Sequence, residues 1–331
     1  MNKNKCRVTT TEGKEFVSEG SMSILDSALG AGFIFEYSCK NGQCGVCKTT
    51  LLDGDVEEIA PQQSLTKQEK QQGMILSCCC EPVSDILIDA EDLSALHGIE
   101  IKTLPARISS IQQMSPDIVE VVLRLPPTAD FNFLEGQYLD VIGPNGVRRS
   151  YSIASSSSQK EITLLIKKVE GGVLSQYWFF DARENDLVRI EGPKGTFFIR
   201  DLGKSLLFLG TGTGIAPVIS MLQALDEKEG FVQTHPIRVF WGNRFKEDFV
   251  LCPKFKRLDV DFVKVLSRQD DVWVFETGYV QDVALTKVSD LNNLQVYACG
   301  SNEMIQSAKR KFFDSGLPEK NFFSDAFVQS L

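Results

Sequence analysis

The chain has 331 residues, 43% of them hydrophobic and 24% charged, with a formal net charge of −9. That balance belongs to a folded protein, not a disordered or fibrous one, and an acidic chain without a basic patch excludes the usual nucleic-acid signatures. No run of about 18 apolar residues exists to cross a bilayer, so no membrane role is expected. The first eleven residues are polar and lack the apolar segment of an export signal, which makes the cytoplasm the expected compartment.

Length predicts two or three compact units. In chain order, strands are expected at Cys6–Thr10 and Glu15–Ser18, then a helix from Ser23 through Leu29, where Ser23 and Asp26 resemble a capping box with Asp replacing Glu. Strands follow at Thr49–Leu52 and Asp85–Asp89, a β-grasp layout. In a reducing compartment, clustered cysteines point to metal or redox chemistry. Cys39, Cys44 and Cys47 have C-x4-C-x2-C spacing, that of plant-type ferredoxins, so they predict three ligands of a [2Fe–2S] cluster. Zinc is the competing occupant. Cys78, Cys79 and Cys80 compete to be the fourth ligand. Cys78 is expected to fill the role, because the ferredoxin pattern has Pro four and Asp seven residues later, matched by Pro82 and Asp85. Gly42 and Gly45 allow the backbone to approach a cluster closely. Residues 1–97 carry −7 of the net −9, 15 acidic against 8 basic. Such acidity forms either a solvated face or a steering field for a basic partner.

A boundary is expected within Glu91–Pro105, giving a cluster domain over 1–97, a barrel domain over 101–201 and a nucleotide domain over 202–331. From Ala106 the chain is predicted to form short strands at Ala106–Met114, Ile118–Leu125, Tyr138–Ile142, Arg149–Ile153, Ile162–Lys168 and Leu187–Glu191. Strands without intervening helices predict a small antiparallel barrel. Arg149-Ser150-Tyr151-Ser152 within it resembles the R-x-Y-S flavin motif of the ferredoxin–NADP reductase superfamily. Three further stretches are similar to that superfamily: Gly171-Gly172-Val173-Leu174-Ser175, G-P-K-G-T-F-F, and Gly210-Thr211-Gly212-Thr213-Gly214-Ile215-Ala216-Pro217.

The resemblance implies a role for each matching residue. Arg149 would pair with the flavin pyrophosphate, Tyr151 would pack on the isoalloxazine, and Ser152 would bond near its reactive N5. Ile166, Lys167 and Val169 would line the flavin through their backbone. Gly172, Val173, Leu174 and Ser175 would open a helix whose N–H groups hold the diphosphate.

After Leu202 the pattern becomes strand, Gly-rich turn and helix: Ser205–Leu209, Gly210–Pro217, Val218–Leu225. Later strands are expected at Ile237–Trp241, Asp261–Leu266 and Gln295–Ala298. Ligands of open parallel sheets bind at the carboxyl ends of strands, which gathers Gly210–Pro217, Gly242–Arg244, Ser267–Arg268 and Cys299–Asn302 around a nicotinamide nucleotide, with Gly210, Thr213, Gly214, Arg244, Ser267, Arg268, Cys299 and Gly300 as its contacts. By the resemblance, Cys299 lies beside the nicotinamide C4, Ser267 and Arg268 resemble a pair that holds the 2′-phosphate of NADP, and Phe327 shields the flavin. Asp248 is an alternative ribose contact. NADH and NADPH both remain open as donors.

The whole is expected to be a multidomain α+β and α/β protein with a β-grasp 2Fe-2S ferredoxin, an FAD β-barrel and an NAD(P) domain. This order resembles the reductase components of multicomponent systems, in particular the CDP-6-deoxy-Δ3,4-glucoseen reductases of deoxysugar biosynthesis. S-C-C-C-E-P, R-R-S-Y-S-I-A, V-Y-A-C-G-S and F-F-S-D-A-F-V carry that likeness. The resemblance implies electron transfer from NAD(P)H through FAD and the cluster to a terminal acceptor protein, a dehydrase or an oxygenase. FMN in place of FAD, and a redox carrier without turnover, are the competing expectations.

Overall fold

The computed structural model describes residues 5–37, 40–43, 45–143, 146–268 and 272–327, with Phe327 described by its backbone alone. The chain divides into two compact units, Met1–Ile99 and Glu100–Leu331.

In the first unit the elements run β1 (Lys5–Thr10), β2 (Glu15–Glu19), α1 (Ile24–Gly30), β3 (Lys48–Asp53), β4 (Val56–Glu58), α2 (Lys67–Gln71), β5 (Met74–Leu76), β6 (Cys80–Pro82) and β7 (Ile86–Ile88). The main sheet has the order β2-β1-β7-β3-β5, in which β1 and β7 are parallel and the other pairs antiparallel. Strict alternation along β1 and β2 buries Val8 and Phe16 beneath Ile24, Leu25 and Ala28 of α1, the β-grasp arrangement. Ser23 caps α1, accepting from Asp26 N at 3.0 Å, but the expected box is only half made. Asp26 accepts from the Ser23 hydroxyl at 2.8 Å, and no bond from its carboxylate to the cap's own N–H is formed. The complete capping box lies on α2, where Glu69 accepts from Thr66 N at 2.7 Å and donates its own N–H to Thr66 Oγ1 at 3.2 Å. Glu has the extra methylene that this reach requires.

The second unit begins with β8 (Lys102–Ser115), β9 (Ile118–Arg124), β10 (Tyr138–Ile142), β11 (Arg148–Ser152), β12 (Glu161–Lys167), α3 (Val173–Gln176) and β13 (Leu187–Lys194). These strands form an antiparallel sheet ordered β11-β10-β13-β8-β9-β12. A bridge between Ile153 and Leu164 joins its two edges into a barrel. Closure removes the unpaired edges that an open sheet would expose. Ile108, Val121, Leu139, Ile166, Leu174 and Trp178 fill the interior. The helix opened by Gly172 is shorter than the motif suggests: four residues, then a π-turn over Tyr177–Asp181.

Next come β14 (Ser205–Thr211), α4 (Ile215–Glu227), β15 (Ile237–Asn243), β16 (Val260–Leu266), β17 (Glu276–Thr277), α5 (Val280–Thr286), β18 (Leu294–Ser301), α6 (Asn302–Asp314) and β19 (Phe322–Phe327). All six strands are parallel, ordered β17-β16-β15-β14-β18-β19. Leu206 to Leu209 are buried on both faces, as a sheet covered by helices on each side demands. One face packs on α4 and on the barrel residues Ala154, Leu165 and Phe197; the other packs on α5 and α6. Helix α4 starts at Ile215, three residues before the sequence suggested, which places Pro217 in the first turn, where its missing N–H costs nothing. The chain builds outward from β14 through β15, β16 and β17, then returns to β14's other side with β18. That reversal opens a crevice at the carboxyl ends of β14 and β18.

Candidate functional site

In the first unit, Cys47 and Cys78 are buried with their sulfur atoms 3.1 Å apart. Gly42 N–H donates to the Cys78 sulfur, and Gly42 and Gly45 hold φ of +79° and +73°, which favours glycine. A side chain at Gly42 would overlap the Pro61 carbonyl and come within 2.8 Å of the Cys79 sulfur. Cys79 is fully buried, 3.5 Å from Cys78, with its thiol directed at the Pro61 carbonyl 3.9 Å away. Cys39 and Cys44 lie outside the described residues. Two soft sulfur donors side by side, with backbone N–H support, fit an iron–sulfur cluster.

On the barrel, β11 carries Arg149, Tyr151 and Ser152, with Ser152 opposite Tyr138 of β10. Tyr151 is fixed edge-on to Trp178, with ring centroids 6.4 Å apart, and its hydroxyl accepts from the indole N–H at 3.2 Å. Burial pushes its phenol up to about 12, so it remains neutral at any physiological pH. The hydroxyl of Ser152 is buried without a hydrogen-bond partner. Such an orphan is costly in a finished protein, and it fits a flavin that would supply the missing bond. Ile166 is buried in the barrel core, while the Val169 N–H donates to Ser175 Oγ at 2.8 Å and ties the end of β12 to the start of α3. Gly172 caps that helix, Leu174 is buried against Gly143, and Val173 is half exposed. The Lys167 ammonium pairs with Asp248 at 3.1 Å, and Asp248, buried, also accepts from Ser115 Oγ at 3.3 Å. Its carboxylate thus latches barrel to sheet.

At the crevice the Gly-rich turn meets β18. Gly210 is in register with Cys299, and a Cβ on Gly214 would overlap the Cys299 carbonyl. Thr213 lies in the 3-10 turn between them. Gly300 has φ of +142°, and its Cα hydrogen sits where any side chain would strike Thr211. Cys299 is wholly buried, and burial holds its thiol well above the ordinary range, so it is a neutral thiol and not a nucleophilic thiolate. Ser267 donates its N–H and hydroxyl to Asn243 O at 2.9 and 3.2 Å, and the Arg268 guanidinium lies 4.7 Å over the Phe245 ring. Arg244 is exposed just beyond β15. The backbone of Phe327 ends β19 opposite Ser301. Its side chain lies outside the described residues.

One residue at this site was missed. Asp325 of β19 stands in register with Cys299, and burial pushes its carboxyl up to about 6. The same charge raises the Tyr138 phenol, after desolvation, and the Cys299 thiol. A signal existed in F-F-S-D-A-F-V, where an acid interrupts an apolar strand. Because the folded value exceeds the ordinary one near 3.8, the group favours the fold below pH 4, and that contribution is lost as pH rises through about 6. Asp325→Asn is therefore expected to flatten the melting temperature between pH 4 and 6, whereas the parent chain should show a decline from this group; scanning calorimetry across pH checks it.

A closed flavin-type barrel, a parallel sheet with a switch-point crevice and a cysteine-bearing β-grasp unit define a modular electron-transfer oxidoreductase. Family models match in that order: a 2Fe-2S iron-sulfur cluster binding domain over 8–83, an oxidoreductase FAD-binding domain over 105–199, and an oxidoreductase NAD-binding domain over 208–310. The chain is 42% identical to a CDP-6-deoxy-L-threo-D-glycero-4-hexulose-3-dehydrase reductase of Yersinia pestis, across 95% of this chain and 96% of that one. It is 26% identical to a toluate 1,2-dioxygenase electron transfer component of Pseudomonas putida, across 93% of each. A solved Amycolatopsis cytochrome P450 reductase, GcoB, is 25% identical over 97% of this chain and 98% of its own, with a TM-score of 0.66. The chain belongs to the ferredoxin-fused flavin reductases of the ferredoxin–NADP reductase superfamily. Its cofactors are a 2Fe-2S cluster, FAD and a nicotinamide nucleotide.

Proposed function

We propose that this chain is the reductase component that passes electrons from NAD(P)H through FAD and the cluster to a CDP-6-deoxyhexose 3-dehydrase. The observation that carries the hydride-accepting site is the buried, unpartnered Ser152 hydroxyl at the end of β11. The 42% identity to a dehydrase reductase supports the partner. Bound FAD supplies the step between a two-electron hydride and a one-electron cluster. Ser152 donates a hydrogen bond at the reactive edge of the flavin, Tyr151 and its Trp178 brace present a flat apolar wall, and Arg149 with the Gly172–Ser175 segment holds the diphosphate. Ile166, Lys167 and Val169 set the backbone beside it. The Gly210–Gly214 turn receives the nucleotide phosphates, Cys299 and Gly300 leave room for the nicotinamide, and Phe327 covers the flavin in its absence. Arg244, Ser267 and Arg268 lie toward the adenosine end. Cys39, Cys44, Cys47 and Cys78 hold the cluster, within a division of the chain into 1–97, 101–201 and 202–331.

A second reading replaces the dehydrase with an oxygenase, which the likeness to the toluate dioxygenase component favours. Anaerobic titration with NADH and NADPH in turn, followed by addition of a dehydrase or an oxygenase, tests both. Bleaching of flavin and cluster, then reoxidation by the dehydrase, is the expected course. A cluster that stays oxidised under excess NAD(P)H would sink the relay, and reoxidation by the oxygenase alone would transfer the assignment to the second reading.

A further inference from the structure

Asn243 is 5% exposed, and neither its Oδ1 nor its Nδ2 has a hydrogen-bond partner. Leaving a buried donor and a buried acceptor both unmade costs stability, and natural proteins retain such groups where a ligand completes them. Its place in the fold says which ligand. Asn243 is the last residue of β15, in register with Leu266 of β16, and its backbone carbonyl is already taken by Ser267. On the other side, Gly242 pairs with Thr211 of β14. The amide thus stands at the carboxyl edge of the sheet, where open parallel sheets bind ligands. Trp241, two residues earlier and so on the same face, donates its indole N–H to Gly212 O at 2.8 Å, which brings the Gly-rich turn to that face as well.

Two strand spacings, about 10 Å, separate β15 from β18. A dinucleotide laid with its nicotinamide at Cys299 and its adenosine toward Arg268 crosses Asn243 on the way. Resting on the nucleotide reading above, we propose that the Asn243 carboxamide binds a ribose cis-diol of the nicotinamide nucleotide. A pyrophosphate offers only acceptors and would leave Oδ1 unpaired, whereas a diol both donates and accepts, which is what a carboxamide needs. Asp248, five residues on, already accepts from Lys167 and Ser115, whereas the Asn243 carboxamide has neither of its polar atoms bonded. Arg268 and Phe245, which stack on each other, follow Ser267 and Asn243 just beyond the ends of β16 and β15.

The test is titration calorimetry of the FAD-loaded full chain with NAD⁺ and with NADP⁺, comparing the parent with Asn243→Leu and Asn243→Ala. Both variants are expected to bind about tenfold more weakly, the loss of a ligand hydrogen bond or two, with a melting temperature unchanged or raised. A loss confined to NAD⁺ places the diol on the adenosine ribose, whose 2′-hydroxyl is phosphorylated in NADP⁺; an equal loss places it on the nicotinamide ribose. Unchanged dissociation constants, or a melting temperature lowered in both variants, would overturn the proposal. If the parent binds neither nucleotide, the nucleotide reading itself falls.

Discussion

Cys78→Ser is expected to give a protein that retains FAD and oxidises NAD(P)H but holds no intact cluster, while Cys79→Ser keeps it. The two residues are neighbours, yet their surroundings differ. Cys78 has its sulfur 3.1 Å from that of Cys47 and accepts from Gly42 N–H. Cys79 turns its thiol toward the Pro61 carbonyl, 3.9 Å away. Iron in such a cluster is held by soft thiolates, and a serine oxygen is a poor substitute. Iron and acid-labile sulfide content, with the visible absorbance, measure the outcome directly. Ferricyanide reduction by NAD(P)H should persist in both variants, because that acceptor can draw electrons from the flavin. Loss of the cluster in Cys79→Ser with retention in Cys78→Ser would exchange the two assignments.

Gly214→Ala should cut hydride transfer about a hundredfold, the scale on which a misplacement near 1 Å acts, and lower stability by about 1–3 kcal/mol through overpacking. Gly214 has ordinary helical-region backbone, so the demand is for space and not for an unusual conformation. An added Cβ would overlap the Cys299 carbonyl oxygen and lie 2.7 Å from its carbon and 2.9 Å from Gly300 Cα. All three are backbone atoms, so no side chain can swing away to relieve the clash. Either the Gly-rich turn lifts or the end of β18 retreats, and both border the crevice at the switch point. Stopped-flow reduction of the flavin by NADH, set beside the melting temperature, separates the two effects. A variant with native reduction rates would show that the contact between turn and β18 does not position the nucleotide.

The elements easiest to foresee were those in which one residue type has one physical job. C-x4-C-x2-C spacing has few other uses, and the run from Leu206 to Leu209 is apolar throughout because both faces of its sheet are covered. Element ends were harder. Helix α4 begins at Ile215 because the Gly212–Gly214 turn already has helical curvature, which glycine composition does not reveal. The segment opened by Gly172 looked like a full helix start but gives way after four residues to a wider turn around the buried Trp178.

The sequence by itself determined the three-module order and the cofactor class of each module, since these depend on local spacing: which residues fall within a few positions of one another. Only the tertiary structure decided which side chains already have partners. Asp248 is spent on Lys167 and Ser115, 81 and 133 residues away in the chain. Ser152 and Asn243 are buried with nothing to bond. Asp325 acquires its raised carboxyl from burial beside Cys299, which β19 reaches only by adding to the far edge of the sheet. Hydrogen-bond satisfaction and desolvation depend on the whole set of neighbours in space, and no local spacing encodes them.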